Sequence, residues 1–333
     1  MLDFLIESIL KVLVVFGVLL FVVAYTTWLE RRVLGRIQVR HGPNRVGPQG
    51  LLQPLADGLK GFFKEDIVPV NADKIVYVLA PVLSIVPALM IVAVIPFGDS
   101  FRLFGREITM RITDVNVALL YILGLAGLGE YGVMLGGWAS NNRYGLLGSL
   151  RTAAQMISYE LALGLTLISV IMVSGSLSLV EIVNTQTVWW NAFKQPLAFF
   201  LFLICGLAEI NRTPFDMPEA EAELACGFNI EYSSMKFAMF FMAEYAHLIS
   251  LAMIITCLFL GGWYLPFGIP TPGLLKFPVF LAKVFVLVFF FIWERGTFPR
   301  LRYDQIMRLG WKWLMPLALA NIFVTGVVVT AVA

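Results

Sequence analysis

The sequence predicts an all-α polytopic membrane protein with about eight transmembrane helices and one amphipathic helix in the membrane interface. Of its 333 residues, 59% are hydrophobic and 14% are charged, and the mean hydropathy is positive. A soluble globular domain carries about 25% charged residues, so this composition indicates a membrane protein. Apolar stretches of bilayer-spanning length recur along the chain, and a shorter stretch between the first two has helical periodicity.

Eight apolar segments are predicted to cross the membrane, and they are residues 4–28, 75–97, 113–138, 153–174, 193–211, 237–264, 278–297 and 311–332. Asp3 precedes the first segment and Glu7 lies at its start, where a signal peptide would carry basic residues, so we expect a retained helix. No linker, low-complexity tract or repeat divides the chain. We therefore interpret residues 1–333 as a single membrane domain.

The first loop contains the predicted interfacial helix, at about residues 50–63. Its leucine and phenylalanine side chains recur at helical spacing opposite polar residues such as Asp57 and Lys60. The segment is too short to span a bilayer, so it is expected to lie in the interface. The preceding residues 41–48 are rich in Gly, Pro and Asn and predict an ordered loop.

The basic residues predict the orientation. Seventeen Lys and Arg side chains lie in the odd-numbered loops and five in the even-numbered loops. Because short basic loops stay on the cytoplasmic side, the odd loops should face the cytoplasm and both termini the periplasm. Lys11 and Lys283 lie within predicted spans, where long side chains can snorkel toward an interface.

The fifth loop, residues 209–231, sets six carboxylates against one arginine, Arg212. Asp216 and Glu219 match a capping box with Pro218 between them, so we predict a short helix that begins there and runs through Glu223. A capping role would explain the presence of these two acids without any function. Glu221 and Glu223 have no such explanation, and acids at a membrane's edge indicate function.

Three carboxylates fall inside predicted spans. Glu130, Glu160 and Glu244 each lie eight residues from the cytoplasmic end of a span, or roughly 12 Å at 1.5 Å per residue. Carboxylates avoid lipid, so these three should face the bundle interior and form a shared polar layer. Linked carboxylates and water are what a proton path requires. Structural hydrogen bonding between helices is the alternative role for each.

The sequence gives little support for other kinds of functional site. Cys205, Cys226 and Cys257 lack the spacing of a disulfide framework, a zinc site or an iron–sulfur site. His247 is interpreted as a core histidine, and with only His41 besides it a bis-histidine haem site within the bundle is excluded. Nucleotide-binding and nucleophile-elbow motifs are absent from the sequence. We expect this chain to bind no metal or cofactor and no nucleic acid.

Several segments resemble the H-subunit family of bacterial NADH:quinone oxidoreductases, whose mitochondrial counterpart is subunit 1 of respiratory complex I. The resemblance rests on ERR at 30–32, GRIQ at 35–38, RHGPNRVG at 40–47, QPLADGLK at 53–60, GEYG at 129–132, SYE at 158–160, the loop 209–232, AEY at 243–245 and WERGTFPRLRYD at 293–304. It covers nearly the whole chain.

The resemblance implies a membrane subunit that forms much of a quinone chamber and couples quinone reduction to proton translocation. Iron–sulfur clusters and flavin would belong to partner subunits, so this chain would have no redox centre and would not be active alone. The implied partners are peripheral-arm subunits with the terminal cluster and the quinone headgroup site, small membrane subunits, and antiporter-like membrane subunits. The implied location is the bacterial inner membrane, with an organellar inner membrane as the alternative.

Combining the resemblance with the charge pattern assigns three groups of site residues. The predicted quinone-chamber residues are Arg31, Arg36, Asp57, Lys60, Glu209, Arg212, Asp216, Glu219, Glu221 and Glu223. The predicted proton-path residues are Glu130, Glu160, Glu244, Glu221 and Glu223. The residues predicted to dock peripheral subunits are Arg295, Arg300 and Arg302.

Three other interpretations remain open at this point. The same type of membrane protein occurs in membrane-bound hydrogenases and in complexes with donors other than NADH. A stand-alone ion-coupled transporter could use carboxylates as its ion site, although it leaves the long basic loops unexplained. In a passive membrane anchor, the acids within the spans should tolerate neutral substitution.

Overall fold

The structure is a computed structural model that describes residues 2–99, 101–103, 106–218 and 221–332. Its helices are α1 (Leu2–Ile37), α2 (Gln53–Phe63), α3 (Lys74–Val92), α4 (Ala118–Ala139), α5 (Arg143–Ser174), α6 (Leu179–Asn184), α7 (Asn191–Lys194), α8 (Pro196–Glu209), α9 (Glu221–Leu224), α10 (Ser234–Leu258), α11 (Gly273–Thr297), α12 (Tyr303–Leu309) and α13 (Met315–Val332). Between α3 and α4, strands β1 (Phe101–Leu103) and β2 (Arg106–Ile108) form an antiparallel hairpin. A π-helical segment, Gly310–Leu314, joins α12 to α13.

Seven helical segments of the described chain are long and apolar enough to cross a membrane. They are Ser8–Ile37, Lys74–Val92, Ala118–Ala139, Arg143–Ser174, Ser234–Leu258, Leu275–Thr297 and Tyr303–Ala331. They fall at seven of the eight segments that hydropathy marked as spans. The predicted all-α polytopic membrane fold is therefore confirmed.

The remaining predicted span, residues 193–211, is a shorter helix than expected. α8 has 14 residues, or about 21 Å of helix, against a hydrocarbon core of about 30 Å. Pro196 disfavours helical geometry in the residue before it, and Gln195 accordingly leaves the helical region (φ −137°, ψ 67°) and separates α7 from α8. At the other end Asn211 adopts the left-handed conformation (φ 58°), which stops the helix.

The helices pack against one another around a largely apolar core. α4 packs along α3 on one side and α5 on the other, and α5 also contacts α8 and α13. α10 crosses α3 and reaches α1, α2 and α11. Because α10 contacts helices from both ends of the chain, polar side chains on α10 can meet partners that are distant in sequence.

The predicted interfacial helix is present as α2, and it begins at Gln53 rather than near residue 50. A short 3₁₀ turn, Pro48–Gly50, precedes it and ends where the predicted helix was expected to begin. α2 rests on α1 and α10, while Leu55 and Phe62 remain 64% and 70% exposed. Exposed apolar side chains on a short amphipathic helix suit contact with the membrane interface.

Lys283 on α11 stabilises the loop after α10. Its ammonium group donates hydrogen bonds to the carbonyl oxygens of Leu260, Gly262 and Tyr264 at 2.6, 2.9 and 2.6 Å. It also lies 4.2 Å from the centre of the Trp190 ring. The ammonium therefore satisfies carbonyls just beyond a helix end, where partners for backbone acceptors are needed.

Replacing Lys283 with methionine should destabilise the protein by about 1–3 kcal/mol, because it leaves part-buried carbonyls without their charged donor. The measurement is the thermal stability of the assembled complex that contains the variant. Lys312→Met is the control, since Lys312 is exposed. Equal stability of the two variants would contradict a capping role for Lys283.

Candidate functional site

A buried network of ion pairs joins the fifth loop to three helices. Arg212 from the loop pairs with Glu30 on α1 and, at 2.6 Å between Nε and Oε1, with Glu244 on α10. Arg295 on α11 also pairs with Glu30. Only 4% of the Glu30 and Arg212 side chains is exposed. Two acids and two arginines balance in charge, as burial requires.

Arg212 occupies the centre of this network. Its guanidinium lies 4.2 Å from the centre of the Tyr245 ring, in cation–π geometry. Burial lowers the pKa of the Arg212 guanidinium, but the Glu244 and Glu30 carboxylates oppose this and raise it above its ordinary value. Arg212 therefore stays charged, and it holds both acids beside it.

Asp216 extends the network, and this corrects one prediction. The Asp216 carboxylate pairs with Arg300 at 2.5 Å. Met217 and Pro218 form a turn rather than the first residues of a helix, so the predicted helix does not begin after Asp216. Within the described residues the loop contains one short α-helix, α9, which begins at Glu221. The Arg300 guanidinium gives the buried Asp216 carboxylate a full opposite charge, which backbone N–H groups at a helix cap do not supply.

The loop is also held through its backbone. The fully buried Gln155 amide on α5 donates to the carbonyl oxygens of Ala208 and Phe215, each at 2.8 Å. The Phe215 ring packs edge-on against Tyr159, with ring centres 5.5 Å apart. The first half of the acidic loop is thus ordered by α5, and Arg212 is presented to α1 and α10 in one position.

A cavity of about 100 Å³ lies beside the network within the helix bundle. Its polar lining includes the three acids Glu130 on α4, Glu209 on α8 and Glu244 on α10. His247 also lines it, and Pro218 of the loop borders it. Two of the three acids predicted as a polar layer therefore share one cavity, together with an acid that was assigned to the quinone chamber.

Glu160, the third predicted acid, reaches the same region from α5. Its Oε1 atom lies 3.2 Å from where a Cβ atom at Gly127 would be, so glycine allows the carboxylate to lie against α4. Gly127 is one helical turn before Glu130, so the two acids approach the same part of α4. Glu160 is not among the residues that line the cavity, although it lies nearby.

The first-loop residues divide into a pair and two solvent-facing cations. Arg31 on α1 and Asp57 on α2 form an ion pair of 2.7 Å, and Gln53 donates to Asp57 at 3.0 Å. Arg36 and Lys60 are exposed. The structure therefore brings Arg31 and Asp57 together, and the quinone-chamber role of all four residues remains a prediction.

Glu223, in the second half of the acidic loop, is not among the residues that line the cavity. Glu223 is half exposed and pairs with Arg151 on α5 at 3.0 Å. Glu221 begins α9, and only its backbone is described, while Glu219 lies outside the described residues. The proposed roles of these three acids therefore remain predictions.

The three arginines predicted to dock peripheral subunits differ in exposure. Arg295 and Arg300 are each 29% exposed and have internal partners, Glu30 and Asp216. Arg302 is 72% exposed and lies 3.4 Å from Asp304. Arg302 is therefore the arginine most available to a partner protein, and docking remains a prediction for all three.

Sequence reasoning gave no role to Glu30 or Arg151 and interpreted His247 as a core residue. Glu30 had a usable signal, since it lies two residues beyond the predicted end of the first span, and an acid at a membrane's edge indicates function. His247 had one too, because it lies three residues after Glu244 and so shares its helix face. Among the described residues, no group of three or more His, Cys, Asp or Glu side chains has the arrangement of a metal site.

Comparison with known proteins identifies the family. Residues 10–326 match the family model of NADH dehydrogenase. The chain is 56% identical to an H subunit of the NADH-quinone oxidoreductase of Geobacter sulfurreducens, over 98% of this chain and 95% of that protein. It is 54% identical to the H subunit of Syntrophotalea carbinolica (97% and 96% covered) and 52% identical to that of Thermomicrobium roseum (97% and 96% covered). The chain therefore belongs to the H-subunit family of the NADH-quinone oxidoreductases.

Proposed function

We propose that this membrane subunit forms much of the quinone-binding chamber of its complex and couples quinone reduction to proton translocation. The observation that carries the proposal is the contact between two features. The buried network around Arg212 includes Glu244, and Glu244 also lines the cavity that contains Glu130 and Glu209. A charge that develops beside the loop can thus act on a carboxylate that adjoins the proposed proton path.

The coupling step follows from electrostatics in a buried site. Quinone reduction requires two electrons and two protons, and negative charge develops before the protons arrive. A negative species near the loop attracts Arg212 and weakens its pairing with Glu244. Because charges interact strongly where the dielectric constant is low, a small movement of Arg212 changes the proton affinity of Glu244. The electrons would come from iron–sulfur clusters and flavin in partner subunits.

The entrance of the chamber would lie between α1 and α2. The exposed apolar side chains of α2, including Leu55 and Phe62, suit a quinone tail at lipid level. Arg31, Asp57 and Gln53 form the polar end of this surface. Arg36 and Lys60 are the exposed cations beside it.

We further propose that the protein acts only within its complex, in the bacterial inner membrane, with both termini in the periplasm. The peripheral-arm subunits would cover the loops that contain residues 31–74 and 295–312, and antiporter-like membrane subunits would receive the proton signal. A reporter enzyme that is active only in the periplasm, fused after Ala333, tests the orientation. An inactive periplasmic reporter with an active cytoplasmic one would overturn it.

The coupling proposal predicts that Glu130→Gln and Glu244→Gln lower the ratio of protons pumped to electrons transferred. Each substitution keeps the size of the side chain but removes the carboxyl group that can take up and release a proton. A proton path requires that exchange. The measurement is NADH:quinone reductase activity and acidification of inverted membrane vesicles that contain the assembled complex. Glu209→Gln, Glu221→Gln and Glu223→Gln extend the series.

The matched control is Glu181→Gln, because Glu181 is an exposed acid on α6 that lies outside the cavity lining. It should keep both the electron-transfer rate and the proton ratio of the unaltered complex. If every cavity and loop variant matched this control in both measurements, the coupling proposal would be wrong.

A further inference from the structure

One face of α10 continues the polar lining of the cavity beyond the acids already described. Glu244, His247 and Ser250 are spaced three residues apart, and all three line the cavity. Side chains at this spacing lie on one helix face, one above the other. Six residues of helix extend about 9 Å, so a single hydrogen bond could not connect the two ends of this polar stripe.

Three buried polar atoms that line this cavity lack a hydrogen-bond partner within the described part of the chain. They are Oε1 of Glu130, Oδ1 of Asn229 and Oγ of Ser250. Buried polar atoms in proteins are nearly always satisfied by protein or by ordered water. A cavity of about 100 Å³ has room for several waters, because one water requires about 10–15 Å³ of such space. Water in this cavity would satisfy all three atoms.

The His247 imidazole lines the same cavity as the acids, so water in the cavity could contact both. Its Nε2 atom is 3.2 Å from where a Cβ atom at Gly129 would be, so the ring lies against α4 immediately before Glu130. An alanine at Gly129 would crowd the ring. A glycine at this position therefore lets the imidazole, whose two ring nitrogens can each exchange a proton, lie against α4 in the cavity that Glu130 also lines.

We propose that His247 is a proton-carrying residue in a water-filled passage that follows α10 from Asn229 past Glu130 and Glu244 to Ser250. One ring nitrogen accepts the excess proton of a neighbouring hydronium, which becomes water, while the other nitrogen releases its proton to the next water, which becomes the hydronium. The step moves one proton, changes no oxidation state and needs no further reactant. The proposal rests on the proposed coupling function of Glu130 and Glu244, and it adds His247 and Ser250 to that path.

The test is His247→Ala in the assembled complex, measured in inverted vesicles with NADH as donor. We expect proton pumping to fall at least about tenfold, because positioned proton-transfer groups contribute about 10²–10⁴-fold. Added imidazole should restore pumping. Pyrazole has nearly the same shape but is a much weaker base, so it should restore little. Equal rescue by both compounds, or unaltered pumping without either, would overturn the proposal.

Two further variants keep the test decisive. His247→Gln preserves the size and polarity of the side chain, and it should lose pumping even if His247→Ala fails to assemble. Met253→Ala truncates a buried α10 side chain that is outside the cavity lining, so it reports general destabilisation and should not respond to imidazole. If Glu130→Gln impairs pumping while His247→Gln does not, the role of His247 fails and the coupling function stands. If neither impairs pumping, both fail.

Discussion

Replacing Arg212 with glutamine is expected to destabilise the protein by about 3–5 kcal/mol, since it leaves the buried Glu30 carboxylate and the largely buried Glu244 carboxylate without their shared counter-charge. Glu30 would retain its ion pair with Arg295, and Glu244 would lose its 2.6 Å partner. The loop would also lose its link to α1 and α10. The expected result is a large fall in the amount of assembled complex in the membrane and in its thermal stability.

The control is Arg302→Gln, because Arg302 is 72% exposed and its contact with Asp304 is long, at 3.4 Å. Exposed ion pairs contribute at most about 1 kcal/mol, so this variant should assemble normally. A second measurement uses the double variant Arg212→Gln with Glu244→Gln. Neutralising one orphaned acid should recover part of the lost stability. If Arg212→Gln were as abundant and stable as Arg302→Gln, the buried network would not hold the loop.

Replacing Gly132 with alanine is expected to separate α3 from α4. A Cβ atom at Gly132 would lie 2.6 Å from the backbone nitrogen of Ser84 and 2.9 Å from the carbonyl oxygen of Ala80. Both contacts are with backbone atoms, which cannot move without moving the helix. Overpacking of this kind costs about 1–3 kcal/mol or more, and small residues at such contacts are what membrane helix pairs use.

Gly124→Ala is the matched control, because Gly124 lies on the same helix and a Cβ atom there would contact nothing within 4 Å. Alanine is the better helix former, so this variant should keep or increase stability by up to about 1 kcal/mol. The measurement is the thermal stability of the assembled complex for both variants. Equal stability of the two would show that α3 and α4 do not rely on close backbone contact at Gly132.

The sequence predicted the elements of this fold because the signal for a spanning helix is local. Seven of the eight hydropathy segments correspond to long helices, and the eighth is shorter because Pro196 acts on Gln195. The interfacial helix was also readable, since α2 has an apolar face and a polar face. The resemblance to the H-subunit family was confirmed over residues 10–326.

The sequence also marked carboxylates that the structure places together. An acid is unexpected in an apolar helix, so Glu130 and Glu244 were recognisable without any fold. The capping prediction for Asp216 failed because a local motif competed with a partner, Arg300, that lies 84 residues away. Capping motifs depend on neighbouring residues and predict local geometry. They cannot predict an ion pair with a residue that is far away in the sequence.

The sequence by itself determined which segments cross the membrane and which carboxylates needed an explanation. Only the tertiary structure decided their partners: Glu30 meets Arg212 across 182 positions, and Glu223 meets Arg151 outside the cavity. The physical reason is that α4 is apolar nearly all round, with Glu130 as its one charged residue, so periodicity does not reveal which face is buried. Helix packing sets that face, and packing at Gly127 and Gly129 brings Glu160 and His247 against α4 beside Glu130.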